Sequence, residues 1–198
     1  MGIVKIVFEG LDGSGKGTTI RQLHRLISSK TYSTPDSLKN YRREKISEFG
    51  DGQELHAIMV ESYVTEWKEI DLISKQLEKD EILLIDRSWS SYETVRFARL
   101  GGNVVWPDQC KPDLAFTIRV EEEIRVQRLL GREGSEDRLN ERETQLMRDE
   151  MFREKIMMAE GELGCIPLRI RERNERVVAM RALQYLLGRP DFTYVPRG

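Results

Sequence analysis

Apolar positions along this 198-residue chain cluster in a rhythm that predicts strands alternating with helices. Ile3–Phe8 is apolar and β-branched and stops at Gly10, as a buried strand does. A helix is expected over Thr18–Ser28, where Ile20, Leu23, Leu26 and Ile27 fall on one side. Thr31–Thr34, before Pro35, reads as a short strand. Residues 53–79 carry the longest helical period, with Met59, Tyr63, Glu66, Ile70, Ile73 and Leu77 in one stripe. Ile82–Ile85 is a second fully apolar strand, closed by Asp86. Further strands are expected over Pro112–Ile118 and Cys165–Ile170, and further helices over Glu121–Leu130, Asp137–Glu160 and Glu175–Leu187. Buried strands alternating with helices imply a three-layer α/β fold around a parallel sheet of about five strands. The strand entering Gly10 should be central, with Asp86 ending a neighbour. The expected organisation is one domain over 1–198, with a lid near 131–140 and an irregular tail over 188–198.

Composition narrows the function. With 32 Lys+Arg against 34 Asp+Glu, the net charge of -2 offers no general basic footprint for nucleic acid. No apolar run approaches the roughly 18 residues that a membrane span needs. Cys110 and Cys165 lack CxxC spacing and point to a reduced setting, and Met1-Gly-Ile-Val-Lys5 has no signal-peptide layout. A cytoplasmic protein that binds neither nucleic acid nor membrane is expected. His24 and His56 stand alone, without the clustering of a metal site. Trp67, Trp89 and Trp106 are expected to serve packing.

The chemistry concentrates at strand ends. Gly10-Leu-Asp-Gly-Ser-Gly-Lys-Gly-Thr18 follows a strand and opens a helix, the context of a phosphate-binding loop. Gly10, Gly13, Gly15 and Gly17, with Ser14 and Thr18, let backbone N–H groups curl around phosphate while Lys16 reaches the β- and γ-phosphates. ATP is therefore the expected cofactor. Gly17 stands where the strict pattern wants a hydroxyl residue, and Thr18 follows; this Gly-Lys-Gly-Thr variant is familiar from nucleoside monophosphate kinases. Asp86-Arg87 ends an apolar strand, where a carboxylate can meet Mg²⁺ beside the phosphates. Arg125, Arg128 and Arg132 share one helical face, and two glycines then break the segment Gly131–Arg138 as an arginine-bearing lid would. Arg43, beside Arg42, is a candidate for an acceptor phosphate.

These motifs together resemble the thymidylate kinase family through most of the chain. Phe8–Lys16 is close to its phosphate loop, Leu72–Arg87 to its helix–strand approach to Asp-Arg, Pro112-Asp-Leu114 to its Pro-Asp-Leu strand, and Asp137-Arg-Leu139 to its lid. The resemblance implies that Lys16 holds donor phosphates, Asp86 helps place Mg²⁺, Arg87 binds the acceptor phosphate and Asp12 contacts the sugar 3′-hydroxyl. Ser91 stands where the family often has serine, at the substrate. With Gly13 at the position where some members carry a catalytic arginine, the chain resembles the members that supply it from the lid, here Arg132 and Arg128. A nucleoside monophosphate acceptor and a homodimer are implied as partners.

Departures cluster at the base and sugar. Asp86-Arg-Ser88 drifts toward deoxynucleoside kinases, the main alternative; a nucleotide-dependent switch is the other. Thr94-Val-Arg96 replaces the stretch that lines sugar and base, which makes Arg96 a substrate candidate. Glu66 falls where the family carries the arginine that donates to the thymine carbonyl. Three outcomes stand open for it: bending out to solvent, pairing with an arginine such as Arg96, or holding the amino group of an acceptor such as dGMP, dCMP or dAMP in place of the default dTMP.

Overall fold

The computed structural model describes residues 4–131, 149–170 and 175–192. Along them run β1 (Lys5–Glu9), α1 (Lys16–His24), β2 (Ser29–Ser33), α2 (Asp36–Phe49), α3 (Gln53–Ser74), β3 (Ile82–Asp86), α4 (Trp89–Leu100), β4 (Leu114–Val120), α5 (Glu122–Leu130), α6 (Glu150–Glu162), β5 (Ile166–Ile170) and α7 (Glu175–Leu187). The strands form one sheet in the order β2-β3-β1-β4-β5, with every pairing parallel. β1 is central and β3 adjacent, as the strand-end motifs predict.

Alternation along the strands builds two cores. Ile6 and Phe8 of β1, with Ile82 and Leu84 of β3, face α1 and α7, where Ile20, Leu23, Val178, Ala182 and Leu186 close one layer. Val7, Leu83 and Ile85 face the other way, onto Leu55, Met59, Trp67 and Ile70 of α3 and Trp89 of α4. The central strands are apolar on both faces because both faces are covered. The first four residues of the predicted α3 stripe, Met59, Tyr63, Glu66 and Ile70, are buried, whereas Ile73 is half-buried and Leu77 lies past the helix end at Ser74. Trp89 and Trp106 pack as expected, their indole N–H groups donating to the carbonyls of Val105 and Leu163. Both cysteines are buried, and burial pushes the Cys110 thiol up to about 11.

Two helices escape the apolar pattern. In α2 the one buried side chain is Arg42, set between the half-buried Leu38 and Phe49 on the same face. α4 turns Ser90, Glu93 and Thr94 inward beside Trp89 and Ala98. The expected helix Asp137–Glu160 is described only from Asp149 onward, where Asp149 caps α6 by accepting from the backbone N–H groups of Met151 and Phe152. Of the expected lid, Arg132 and the residues after it to 140 lie outside the described residues. Among the described residues no helix is long and apolar enough to cross a membrane.

Candidate active site

The glycine loop owes its path to contacts that exclude side chains. A Cβ on Gly10, whose φ is +128°, would stand 2.5 Å from the carbonyl oxygen of Ile118 on β4. Gly13, at φ +82°, would meet the Arg125 carbonyl at 2.9 Å, so neither position accepts another residue unstrained. Lys16, the first residue of α1, is buried and donates through Nζ to the carbonyls of Gly10 (2.7 Å) and Leu11 (3.1 Å). Thr18 accepts from Arg21 at 2.9 Å. The hydroxyls of Ser14 and Thr19 are buried with no hydrogen-bond partner among the described residues.

Register brings the second strand end beside this loop. Asp86 pairs with Phe8 across β1–β3, and the next backbone N–H, of Arg87, donates to the Phe8 carbonyl at 3.1 Å. Gly17 faces the carboxylate: a Cβ there would lie 3.8 Å from Asp86 Oδ2. Asp86 Oδ1 is buried without a partner among the described residues. Burial pushes its carboxyl above the usual range, against the opposing pull of Lys16, Lys39 and Arg21. A buried carboxylate oxygen left bare fits a cation ligand. Mg²⁺ takes one or two carboxylates and completes its shell with water and phosphate, so a single aspartate suffices. Uncompensated charge also costs stability. Asp86→Asn should therefore raise the unfolding midpoint measured without Mg²⁺ while abolishing Mg²⁺-dependent phosphoryl transfer.

Arg87 adopts a left-handed backbone, φ +70°, which costs a non-glycine residue about 1 kcal/mol. Its guanidinium forms an ion pair with Asp12 of the glycine loop, both side chains about one-third exposed. The two residues implied to meet the acceptor thus already face each other across the sheet end.

The arginine face of α5 takes a role that spacing alone does not reveal. Arg125 is buried, chelates Glu122 at 2.8 and 2.5 Å, and donates to the Asp12 carbonyl at 3.2 Å. Arg128 donates to the carbonyls of Gly13 and Ser14, each at 3.3 Å. Both brace the loop backbone.

Between α2 and α3 the buried cation is Arg42, whereas Arg43 is exposed and reaches Asn40 at 3.5 Å. Arg42 donates to Glu66 Oε2 at 2.8 Å and through Nε to Ser62 at 2.9 Å, and its guanidinium lies 3.5 Å over the Tyr63 ring. Glu66 Oε1 accepts a long bond (3.4 Å) from the Tyr32 hydroxyl. Of the outcomes open for Glu66, arginine pairing is the observed one: the side chain is buried rather than turned to solvent, and Arg96 is not its partner. Arg96 chelates Glu93 on its own helix at 2.8 Å and caps the loop after α4 through the Asn103 carbonyl. It lines a cavity of about 200 Å³ with Ile46, His56, Tyr92 and Val95. Ser91 donates to Glu9 at 2.5 Å. Sequence reasoning names Arg42 only beside Arg43, as one of two adjacent arginines, and carries Arg43 forward; nothing in the spacing shows that Arg42 is the one turned inward.

Comparison with known proteins places these features. A family model for thymidylate kinase matches residues 8–163. No curated protein matches the sequence. Among solved structures, thymidylate kinase from Candida albicans, described as revealing the origin of broad substrate specificity, is 17% identical. The match has a TM-score of 0.67 and covers 100% of this chain and 96% of that one. Thymidylate kinase from Ehrlichia chaffeensis is 15% identical with a TM-score of 0.55, covering 94% and 100%. At such identities the structural likeness speaks for the fold, and the family match speaks for descent. It runs from the last residues of β1 through α6 and so takes in the ends of β1 and β3 that carry the candidate site. This chain belongs to the thymidylate kinase family, and with it to the phosphotransferases that act on nucleoside monophosphates.

Proposed function

We propose that this kinase moves the γ-phosphoryl group of ATP to a deoxynucleoside monophosphate, with dTMP as the preferred acceptor. The observation that carries the reading is the meeting of Lys16, the bare Asp86 oxygen and the Asp12–Arg87 pair at one end of the sheet. Lys16 reaches donor phosphate by exchanging the Gly10 and Leu11 carbonyls for phosphate oxygens, and the loop N–H groups surround the rest. Asp86 holds Mg²⁺, which supplies charge to offset what develops during transfer. Arg87 grips the acceptor phosphate and Asp12 the sugar hydroxyl. Arg132, with Arg128 one turn before it in the sequence, is the proposed source of the catalytic arginine. By the same resemblance the protein works as a cytoplasmic homodimer.

The base preference follows from the Arg42–Glu66 pair. The resemblance sets the base against this part of α3. An amino-bearing base would have to displace a charged 2.8 Å hydrogen bond to gain Glu66. A carbonyl-bearing base meets a guanidinium that donates, as thymine requires. The test is ATP consumption with every common nucleoside monophosphate, with nucleosides and without acceptor. The expected result is turnover fastest with dTMP and slowest with dAMP and dCMP, because a mismatched buried polar group discriminates strongly. Faster turnover with dAMP or dCMP restores the amino-bearing reading. Turnover with nucleosides alone makes the chain a nucleoside kinase, and turnover without acceptor makes it a switch.

A further inference from the structure

Glu9, the last residue of β1, is buried directly before the glycine loop. A strand end covered on both faces ordinarily takes an apolar residue. Here Glu9 Oε1 accepts from the hydroxyls of Ser88 (2.9 Å) and Ser90 (2.5 Å), and Oε2 from Ser91 (2.5 Å). All three serines belong to the start of α4. Ser88 occupies the N-cap, where a serine normally accepts from the helix's own N–H groups, yet it makes no side-chain cap bond. It serves Glu9 instead. Arg87 lies between this cluster and β3 in its left-handed conformation, its N–H on the Phe8 carbonyl. The arginine is thus fastened to β1 on both sides: through the backbone before it and through the serine–carboxylate cluster after it. The same strand continues into the donor loop.

We propose that Glu9 is a positioning residue for the acceptor phosphate. By gathering the three serines it holds Arg87 in its strained backbone and sets the gap between that guanidinium and the donor loop. The inference rests on the acceptor role of Arg87 proposed above.

The experiment compares Glu9→Gln, Ser91→Ala and Arg87→Ala with the parent enzyme, measuring KM for ATP and for the best monophosphate of the panel, together with kcat. Glu9→Gln keeps the shape but replaces one acceptor oxygen with a donor. It should raise the acceptor KM at least tenfold and leave the ATP KM within twofold. Ser91→Ala, which removes one hydroxyl from a half-buried position, should shift the acceptor KM in the same direction by a smaller factor. It keeps the test usable if Glu9→Gln fails to fold. Equal changes in both KM values, or unchanged acceptor KM while Arg87→Ala raises it, would overturn the role of Glu9 alone. An acceptor KM indifferent to Arg87→Ala would overturn the acceptor role of Arg87 and this inference with it.

Discussion

Lys16→Ala is expected to lower kcat about a thousandfold, some 4 kcal/mol of transition-state stabilisation. The lysine sits at the first position of a helix whose N-terminal N–H groups already favour anions, so its ammonium adds to a preorganised site. The same substitution removes two hydrogen bonds to loop carbonyls, each worth about 1 kcal/mol. The unfolding midpoint should therefore fall by only about 4–8 °C. A thousandfold loss with a cooperative melt separates chemistry from folding. Undiminished kcat would remove Lys16 from the mechanism.

Arg42→Met should produce the largest loss of stability. Both partners of the Arg42–Glu66 bridge are almost wholly buried, with side-chain exposures of 8% and 3%. Removing one partner strands the other charge away from water, at a cost of about 3–5 kcal/mol. The expected fall in midpoint is at least about 6 °C. Adding Glu66→Leu to Arg42→Met should recover most of that loss, since an apolar pair of similar volume is often as stable as the bridge it replaces. The double variant should nevertheless lose discrimination among bases, because both polar groups at the proposed base position are gone. Additive losses in the double variant would show that the two residues are not coupled.

Sequence pattern carried most of the architecture and part of the site, for physical reasons that differ by element. β1 and β3 are legible because strands covered on both faces must be continuously apolar, and such runs ended in Gly10 and Asp86. The glycine loop is legible because close backbone approach at Gly10 and Gly13 tolerates nothing larger. α2 and α4 are not legible, because their buried faces are polar: Arg42 in one, Ser90, Glu93 and Thr94 in the other. A polar residue turned inward is indistinguishable in sequence from one turned outward until its partner is known. The partner of Arg42 is on α3 and those of the serines are on β1. The same blindness put Arg43 ahead of Arg42 and Arg96 beside Glu66. Spacing also does not reveal that Arg125 and Arg128 of α5 donate to backbone carbonyls of the loop.

The sheet order bears on how the molecule is made. β1 pairs only with β3, from Lys5 to Leu83, and with β4, from Ile6 to Leu114, while β2 also waits for β3. A chain emerging from its N-terminus holds the central strand unpaired until Ile82 has been added, and leaves one of its edges open until Leu114 follows. Such non-local pairing closes long loops before it gains contacts and so is slow. During that interval an apolar strand edge is available to other chains, the situation in which partly made proteins aggregate. The glycine loop, encoded first, meets the Ile118 carbonyl beside Gly10 only once β4 is in place. Substitutions that weaken β4 should therefore lower the yield of folded enzyme during synthesis more than they lower the activity of the molecules that do fold.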